Sequence, residues 1–339
     1  LALPGSATDV VLDHPDVVKV LFTGSVDIGR HVARRCAERL VPAQLELGGN
    51  DAAVVAADAN LERTARGVVW GAFVNSGQTC ASIERLYVER PIYDRLLARI
   101  VELTNEIKVG DPSLPDTDVG PLTTKGQLDI VSKQVEEALE GGARALTGGE
   151  RPDGPGFFYP PTVLVDVEDD MEIMREETFG PVLPVVPVDS IDEAVRRANQ
   201  SKFGLTASGW TRSRATAAKL QRQLDAGVVM VNDHAVAFGE QTGAWGGVRE
   251  SGIGRAHGQF GFHELVNIKY VMRDPGTDKA MPWYYPYDQD FGSFLSAALP
   301  LLYRKSLGKF STVFSLAGTK RFWQRVRKGT LLANLHKLF

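Results

Sequence analysis

Short β-branched runs alternate with longer stretches whose apolar residues recur every three or four positions, through most of the chain. Residues 17–23, VVKVLFT, form the first run and stop at Gly24. From about Ser25 to Leu40 the apolar positions Ile28, Val32, Ala33, Cys36 and Leu40 share one face, which predicts an amphipathic helix. Cys36 on that face reads as a small core residue. AQLEL, closed by Gly48 and Gly49, and then AAVVAA read as strands. LERTARGVVWGAFVN predicts a helix, RLYVE a strand and YDRLLARIVELTNEI a helix. The series continues with IVSKQVEEALEGG (helix), ARALTGG (strand and turn), IDEAVRRANQS (helix), TASGWT (strand), RATAAKLQRQL (helix) and GVVMVN (strand). Strands alternating with helices predict an α/β fold with a mostly parallel sheet.

Composition narrows the class. The 339 residues are 43% hydrophobic and 24% charged, ordinary for a globular protein and long enough for two domains. Two cysteines cannot build a disulfide framework or a multi-thiolate metal site. No metal is expected, and a reducing, cytoplasmic setting is. The opening LALPGSATDV has neither a basic region nor a long apolar run, so no signal peptide is read there. With no initiator Met, the chain is expected to open in mid-sequence. The net charge of -4 hides an asymmetry: Phe291 to Phe339 holds nine Lys/Arg and no Asp/Glu, behind an acidic body.

That tail follows a turn-rich linker, residues 273–290. Its FGSFLSAALPLLY is apolar for about a dozen residues, short of the roughly 20 that a spanning helix needs. Cations interleaved with Phe, Trp and Leu suit a helix lying on an anionic membrane surface, making the protein peripheral there. The alternative is that the apolar residues pack on the protein while the cations stay solvated. Nucleic acid is not an expected partner.

Four segments could carry chemistry. In FVNSGQTC, a lone thiol, Cys80, follows a Ser-Gly pair in a loop of small polar residues, where a nucleophile could be approached. A lone Cys is more often inert packing. In LELGGN, Glu46 ends a strand-like run before two glycines, a place for a general base or for an ordinary solvent-facing strand end. FTGSVDIG joins a strand, a Gly-bounded turn and a helix, which can aim helix N–H groups at an anion, though it lacks G-x-G-x-x-G spacing. EETFGP, residues 176–181, reads as a functional loop or one that hydrogen-bonds to itself.

Taken in order, these segments resemble the aldehyde dehydrogenase superfamily from about residue 9 to about residue 272. E-L-G-G matches Glu46–Gly49, G-Q-x-C matches Gly77–Cys80, F-T-G-S matches Phe22–Ser25, and E-E-x-F-G-P matches Glu176–Pro181. V-G-D-P at Val109, P-T-V at Pro161, G-L-T-A at Gly204 and S-G-x-G-R at Ser251 add to the series. The resemblance implies NAD(P)-dependent oxidation of a small-molecule aldehyde. Cys80 would form a thiohemiacetal and then a thioester, and Glu46 would activate the hydrolytic water. It also implies that the Cys80 backbone N–H helps hold the oxyanion. Gly24 and Ser25 would meet the pyrophosphate, Leu47 and Gly48 the nicotinamide carboxamide, and Glu177 and Phe179 the nicotinamide ribose and ring. The cofactor is NAD or NADP.

Two departures accompany the match. The family's segment N-terminal to Leu1–Val11 is expected to be missing, and with it an oxyanion Asn and a ribose-contacting Lys. Ahead of Gly246–Gly247, Ala244–Trp245 replaces the family's Pro-Phe, so Phe238 and Trp245 are expected to shape the substrate tunnel. The implied fold is aldehyde dehydrogenase-like: a parallel-sheet catalytic domain, 50–247, beside the C-terminal part of a Rossmann-like cofactor domain, 1–49. A return segment with an oligomerisation strand, 248–272, the linker 273–290 and the tail 291–339 complete the chain. ELVNIKYVM, residues 264–272, implies a homodimer or homotetramer. The competing functions are a CoA-acylating dehydrogenase, against which Glu46 argues, and an inactive fragment or interaction module.

Overall fold

In the first strand of the large sheet every residue is buried, because helices cover both of its faces. The computed structural model describes residues 5–274. In chain order, α1 (Thr8–Leu12), β1 (Val20–Thr23), α2 (Val26–Glu38) and β2 (Ala43–Glu46) come first. β3 (Asp51–Val55), α3 (Leu61–Phe73), β4 (Ile83–Glu89), α4 (Arg90–Asn105) and α5 (Lys125–Glu140) follow. Then come β5 (Arg144–Thr147), β6 (Thr162–Val165), β7 (Val182–Val188) and α6 (Ile191–Ala198). β8 (Thr206–Trp210), α7 (Arg214–Gln223), β9 (Val228–Val231), β10 (Gly252–Ile253) and α8 (Gly258–Glu264) end the series.

The large sheet runs β5-β6-β7-β4-β3-β8-β9, parallel except for the β5–β6 pair. Side chains alternate across a strand, so Ala52 and Val54 of β3 pack with α5, α6 and α7 on one face. Ala53 and Val55 pack with α3 and α4 on the other. Asn60, Thr124, Ser190 and Ser213 cap α3, α5, α6 and α7, each side chain accepting a backbone N–H of the first turn.

The small sheet pairs β1 and β2 in parallel, and β10 returns antiparallel onto β2. Its core holds Val32, Cys36, Leu45 and Leu47, and Cys36 is buried there as its helical position predicted. The chain divides into two compact units, Leu1–Ile268 and Lys269–Phe339, and most of the second lies outside the described residues. The readings of residues 275–290 as linker and 291–339 as tail fall there.

Several segments depart from the sequence reading, which named neither β6, TVLV, nor the two-residue β10. β7, VLPVVPV, went unread because Pro184 and Pro187 argue against a central strand, yet it sits between β6 and β4. Conversely, residues 264–272 form no strand among the described residues: Glu264 closes α8, and Leu265, Val266 and Ile268 beyond it are exposed. A strand needs a hydrogen-bonding neighbour, and none pairs with it among the described residues.

Candidate active site

The carboxyl ends of β1 and β2 meet the amino ends of β3, β4, β7 and β8, and the four segments singled out above converge at that junction. Gly24 N–H donates to the Glu46 carbonyl (3.1 Å), which ties the start of α2 to the end of β2. Gly24 and Ser25 are exposed, and the Ser25 side chain makes no capping bond, so the first turn of α2 opens outward. Gly49 is pressed so close to the Cys80 carbonyl that a Cβ would collide with it, and a Cβ on Gly48 would collide with the Glu177 carboxylate. Glycine is required at Gly49, where backbone stands in the way, whereas a side chain at Gly48 would displace the Glu177 carboxylate.

Cys80 emerges from a tight turn in which Asn75, Ser76 and Gly77 have φ of 54°, 59° and 69°. Two non-glycine residues in left-handed conformation cost roughly 1–2 kcal/mol each. The turn is held by Asn75 Nδ2 donating to the Gln78 carbonyl and Ser76 Oγ donating to the Gly120 carbonyl, both at 3.0 Å. A Cβ on Gly77 would run into the Gly180 carbonyl, so this turn and the EETFGP loop lie against each other. Burial, chiefly, and the nearby Asp51, Glu177 and Glu46 carboxylates push the Cys80 thiol up to about 12, opposed by its own backbone N–H. The thiol is therefore protonated at neutral pH, and a base must take its proton as it reacts.

Next to the Cys80 loop lies His234, 0% exposed. Its Nε2 is 2.8 Å from the Ala81 carbonyl and its Nδ1 3.0 Å from Ser208 Oγ. Burial lowers its pKa to about 4, so the ring is neutral. A carbonyl can only accept, so Nε2–H donates to Ala81 and Nδ1 accepts from Ser208. Trp210 Nε1–H in turn donates to Ser208 Oγ (3.1 Å). The Ala81–Ser82 peptide, one residue beyond Cys80, is thus fixed from the core.

Glu46 sits half-buried at the end of β2. Its Oε1 accepts from Gln44 Nε2 at 2.9 Å, while its buried Oε2 has no hydrogen-bond partner among the described residues. Burial raises its pKa to about 6, moderated by the Gln44 bond, by Arg255 and by hydrogen bonding from the Trp245 side chain. A carboxylate that ionises near neutrality with one oxygen free has the properties of a general base.

On the other side, Glu177 Oε1 accepts the Gly49 N–H at 2.9 Å, and burial raises this carboxyl to about 7. The Thr178–Phe179 turn is anchored by Glu84, a wholly buried carboxylate accepting from Thr178 N–H (2.9 Å), Phe179 N–H (2.8 Å) and Asn50 Nδ2 (3.2 Å). Gln127 Nε2 donates to the Thr178 carbonyl (2.8 Å), and Phe179 is held at φ 48°.

Trp245 is 4% exposed and belongs to the apolar cluster that includes Ala81, Leu205 and the half-buried Cys80. Phe238 meets it edge-on at 5.1 Å but is 58% exposed, so the first borders the nucleophile and the second lies at the surface. The Leu47 side chain is taken up by the small-sheet core, packed against Gly29. Any contact it makes in the site therefore falls to its backbone.

The sequence reading missed Gln44, Glu84 and His234. Glu84 carried a faint signal, since a carboxylate beside Arg85 at the start of a buried strand must have partners. Gln44 shares a strand face with Glu46 at a spacing of two, which was also legible. Nothing local marked His234. No cluster of potential metal ligands occurs among the described residues.

Two glycines thus bring the strand-end segment that carries Glu46 against the loop that carries Cys80 and against Glu177. Comparison with known proteins gives the chain a family. The profile of the aldehyde dehydrogenase family matches residues 3–271, and the chain belongs to that family. It is 39% identical over 271 residues to the NADP(+) succinate-semialdehyde dehydrogenase of Mycobacterium avium (strain 104), covering 80% of this chain and 57% of that protein. The solved lactaldehyde dehydrogenase of Escherichia coli aligns with a TM-score of 0.74 and 40% identity over 76% of this chain and 54% of that one. An NAD-dependent aldehyde dehydrogenase from Sinorhizobium meliloti aligns with a TM-score of 0.79 and 36% identity over 83% and 55%. The chain thus spans a little over half the length of these relatives.

Proposed function

We propose that this chain carries the thiol and the base of an enzyme that oxidises a small aldehyde to its carboxylic acid with NAD or NADP. The observation that carries the reading is Glu46: a carboxyl with pKa near 6 and an unpartnered, buried Oε2, close enough for its charge to raise the pKa of the Cys80 thiol. The cofactor fits the residues present. The open first turn of α2 at Gly24 and Ser25 suits a pyrophosphate, and the backbone at Leu47–Gly48, with Glu177 and Phe179, would hold the nicotinamide riboside. When bound, the nicotinamide supplies the hydride acceptor.

The chain's own residues do the rest. Cys80 Sγ bonds to the aldehyde carbon as its proton passes to the Glu46 carboxylate, which releases it to solvent before the hydrolytic half, and the Cys80 backbone N–H faces the resulting oxyanion. Loss of hydride from that carbon leaves a thioester. Glu46 Oε2 then takes a proton from water, the water oxygen bonds to the acyl carbon, the C–S bond breaks, and the thiol regains a proton as the acid departs. Trp245 walls the acyl group on the thiol side. A carboxylate kept ready for water favours hydrolysis over transfer to the thiol of CoA, and an assay for free acid against acyl-CoA separates the two.

In the purified protein, Cys80→Ala should abolish aldehyde oxidation while cofactor binding, read by fluorescence quenching, stays nearly unchanged. Glu46→Gln should release one slower burst of reduced cofactor and stall. Wild-type turnover by Glu46→Gln would remove the base assignment.

The division at residues 1–49, 50–247 and 248–272 agrees with Glu46 ending the small sheet and β10 returning to it. The exposed Leu265, Val266 and Ile268 support a homodimer or homotetramer, for which light scattering at micromolar concentration would otherwise give a monomer mass. Two free cysteines agree with a cytoplasmic setting, and no helix among the described residues is long and apolar enough to cross a membrane. For peripheral attachment through residues 291–339, deletion after Asp290 should abolish salt-sensitive co-sedimentation with anionic vesicles. Equal sedimentation of both forms would exclude it.

A further inference from the structure

We infer that Gln44 is a positioning residue for the Glu46 carboxylate, holding Oε1 by an amide hydrogen bond so that Oε2 alone is left for proton transfer. The inference rests on the reading of Glu46 as the base. Residues two apart on a strand face the same side, so Gln44 and Glu46 of β2 stand next to each other by construction. Gln44 is 3% exposed, and Nε2 lies 2.9 Å from Glu46 Oε1. A buried, amide-bearing side chain loses its rotamer freedom, and this one is confined further by Gly254. There a Cβ would strike Gln44 Cγ and approach the Glu264 carboxylate, and φ of +87° already demands glycine. Glu264 is itself ion-paired with Lys19. On the far side of Oε1 stands Gly246, whose Cβ would lie 3.1 Å from that oxygen. Oε1 is held by the amide, while Oε2, also buried, has no hydrogen-bond partner among the described residues.

Several other charged or titratable groups face this carboxylate. Arg255 spends its guanidinium on the Gly247 and Gly254 carbonyls (2.9 and 2.7 Å) and adds a positive field. The Cys80 thiol lies across the site, with Asp51 and Glu177 beyond it, and Glu264 with Lys19 lies beyond Gln44. Gln44 Nε2 donates to Glu46 Oε1 at 2.9 Å, and the Trp245 side chain adds a smaller hydrogen-bonding stabilisation of the ionised carboxylate. The Gln44 bond favours the ionised form, so its loss raises the pKa at which the base switches off.

The test measures single-turnover thioester hydrolysis against pH in the purified protein for Gln44→Met, which keeps the shape without the donor. A shift of the acid limb by about one pH unit, from near 6, lowers the rate about fivefold at pH 6, with the amplitude of the burst of reduced cofactor and the aldehyde KM unchanged. Gln44→Glu, placing a second carboxyl beside Glu46, should move the limb at least as far and decides the matter if the methionine variant does not fold. An acid limb unchanged in either soluble variant overturns the proposal. Glu46→Gln run alongside separates the two readings. If it stalls at the thioester while Gln44→Met matches wild type, only the positioning role fails. If Glu46→Gln turns over normally, the base reading fails first.

Discussion

Replacing Glu84 by Ala tests whether a residue that touches neither nucleophile nor base shapes the site. Its carboxylate accepts from the Thr178 and Phe179 N–H groups and from the Asn50 side-chain amide. Burial and the neighbouring Glu177 charge both raise its pKa, so its ionised form is costly and its three bonds are what hold it in place. Alanine leaves three buried donors unpartnered at roughly 1–3 kcal/mol each, although water entering the space recovers part of that. A loss of about 4 kcal/mol is expected, a large fraction of the roughly 5–15 kcal/mol that stabilises most domains. Urea unfolding followed by tryptophan fluorescence measures it. Because Glu84 sets the turn at Phe179, cofactor affinity in the native baseline should fall about tenfold or more. Glu84→Gln, which preserves volume and one acceptor, should lie between the two. An unfolding midpoint and cofactor affinity for Glu84→Ala within error of wild type would refute the argument that this carboxylate supports the loop.

Asp51 is wholly buried, accepts from Thr206 N–H and Oγ1, and burial pushes its pKa from 3.8 up to about 8. The folded state keeps a proton that the unfolded chain releases, so this group's stability contribution is lost as pH rises from about 4 to about 8. Asp51→Asn should flatten the urea midpoint across that window, and an unchanged slope would contradict it. For His234 the sign is opposite. Its folded pKa lies near 4 against 6.5, so stability is lost as pH falls through that interval. His234→Gln should reduce that loss, whereas His234→Leu should cost about 1–3 kcal/mol and alter the iodoacetamide alkylation rate of Cys80. Equal alkylation rates in His234→Leu and wild type would remove the link to the nucleophile.

Much of this was legible in the sequence because the relevant physics is local. The helices follow apolar spacing and their capping residues, and Cys36 fell into the core because its helical position demanded it. The glycines of LELGG and GQTC were legible as signals, but their cause was not. Gly49 yields to the Cys80 carbonyl and Gly48 to Glu177, contacts between segments 31 and 129 residues apart. Glu84 and His234 were hidden for the same reason, since their partners at Thr178 and Ala81 lie far along the chain. β7 was obscured by two prolines whose missing N–H groups its neighbours tolerate. The segment at 264–272 is a different case, because a strand is a property of a pair and its reading as an oligomerisation strand requires a neighbour from a second subunit.

The central claim is that Cys80 carries the acyl group and Glu46 removes it. Its most direct test is mass spectrometry of the Glu46→Gln protein quenched after mixing with aldehyde and NAD(P)+. The tryptic peptide Gly67–Arg85, which contains Cys80, should carry the acyl mass in near-stoichiometric amount and lose it on treatment with hydroxylamine. The wild-type peptide quenched at the same time should be mostly free. An unmodified Cys80 peptide in Glu46→Gln, recovered while reduced cofactor accumulates, would contradict the account.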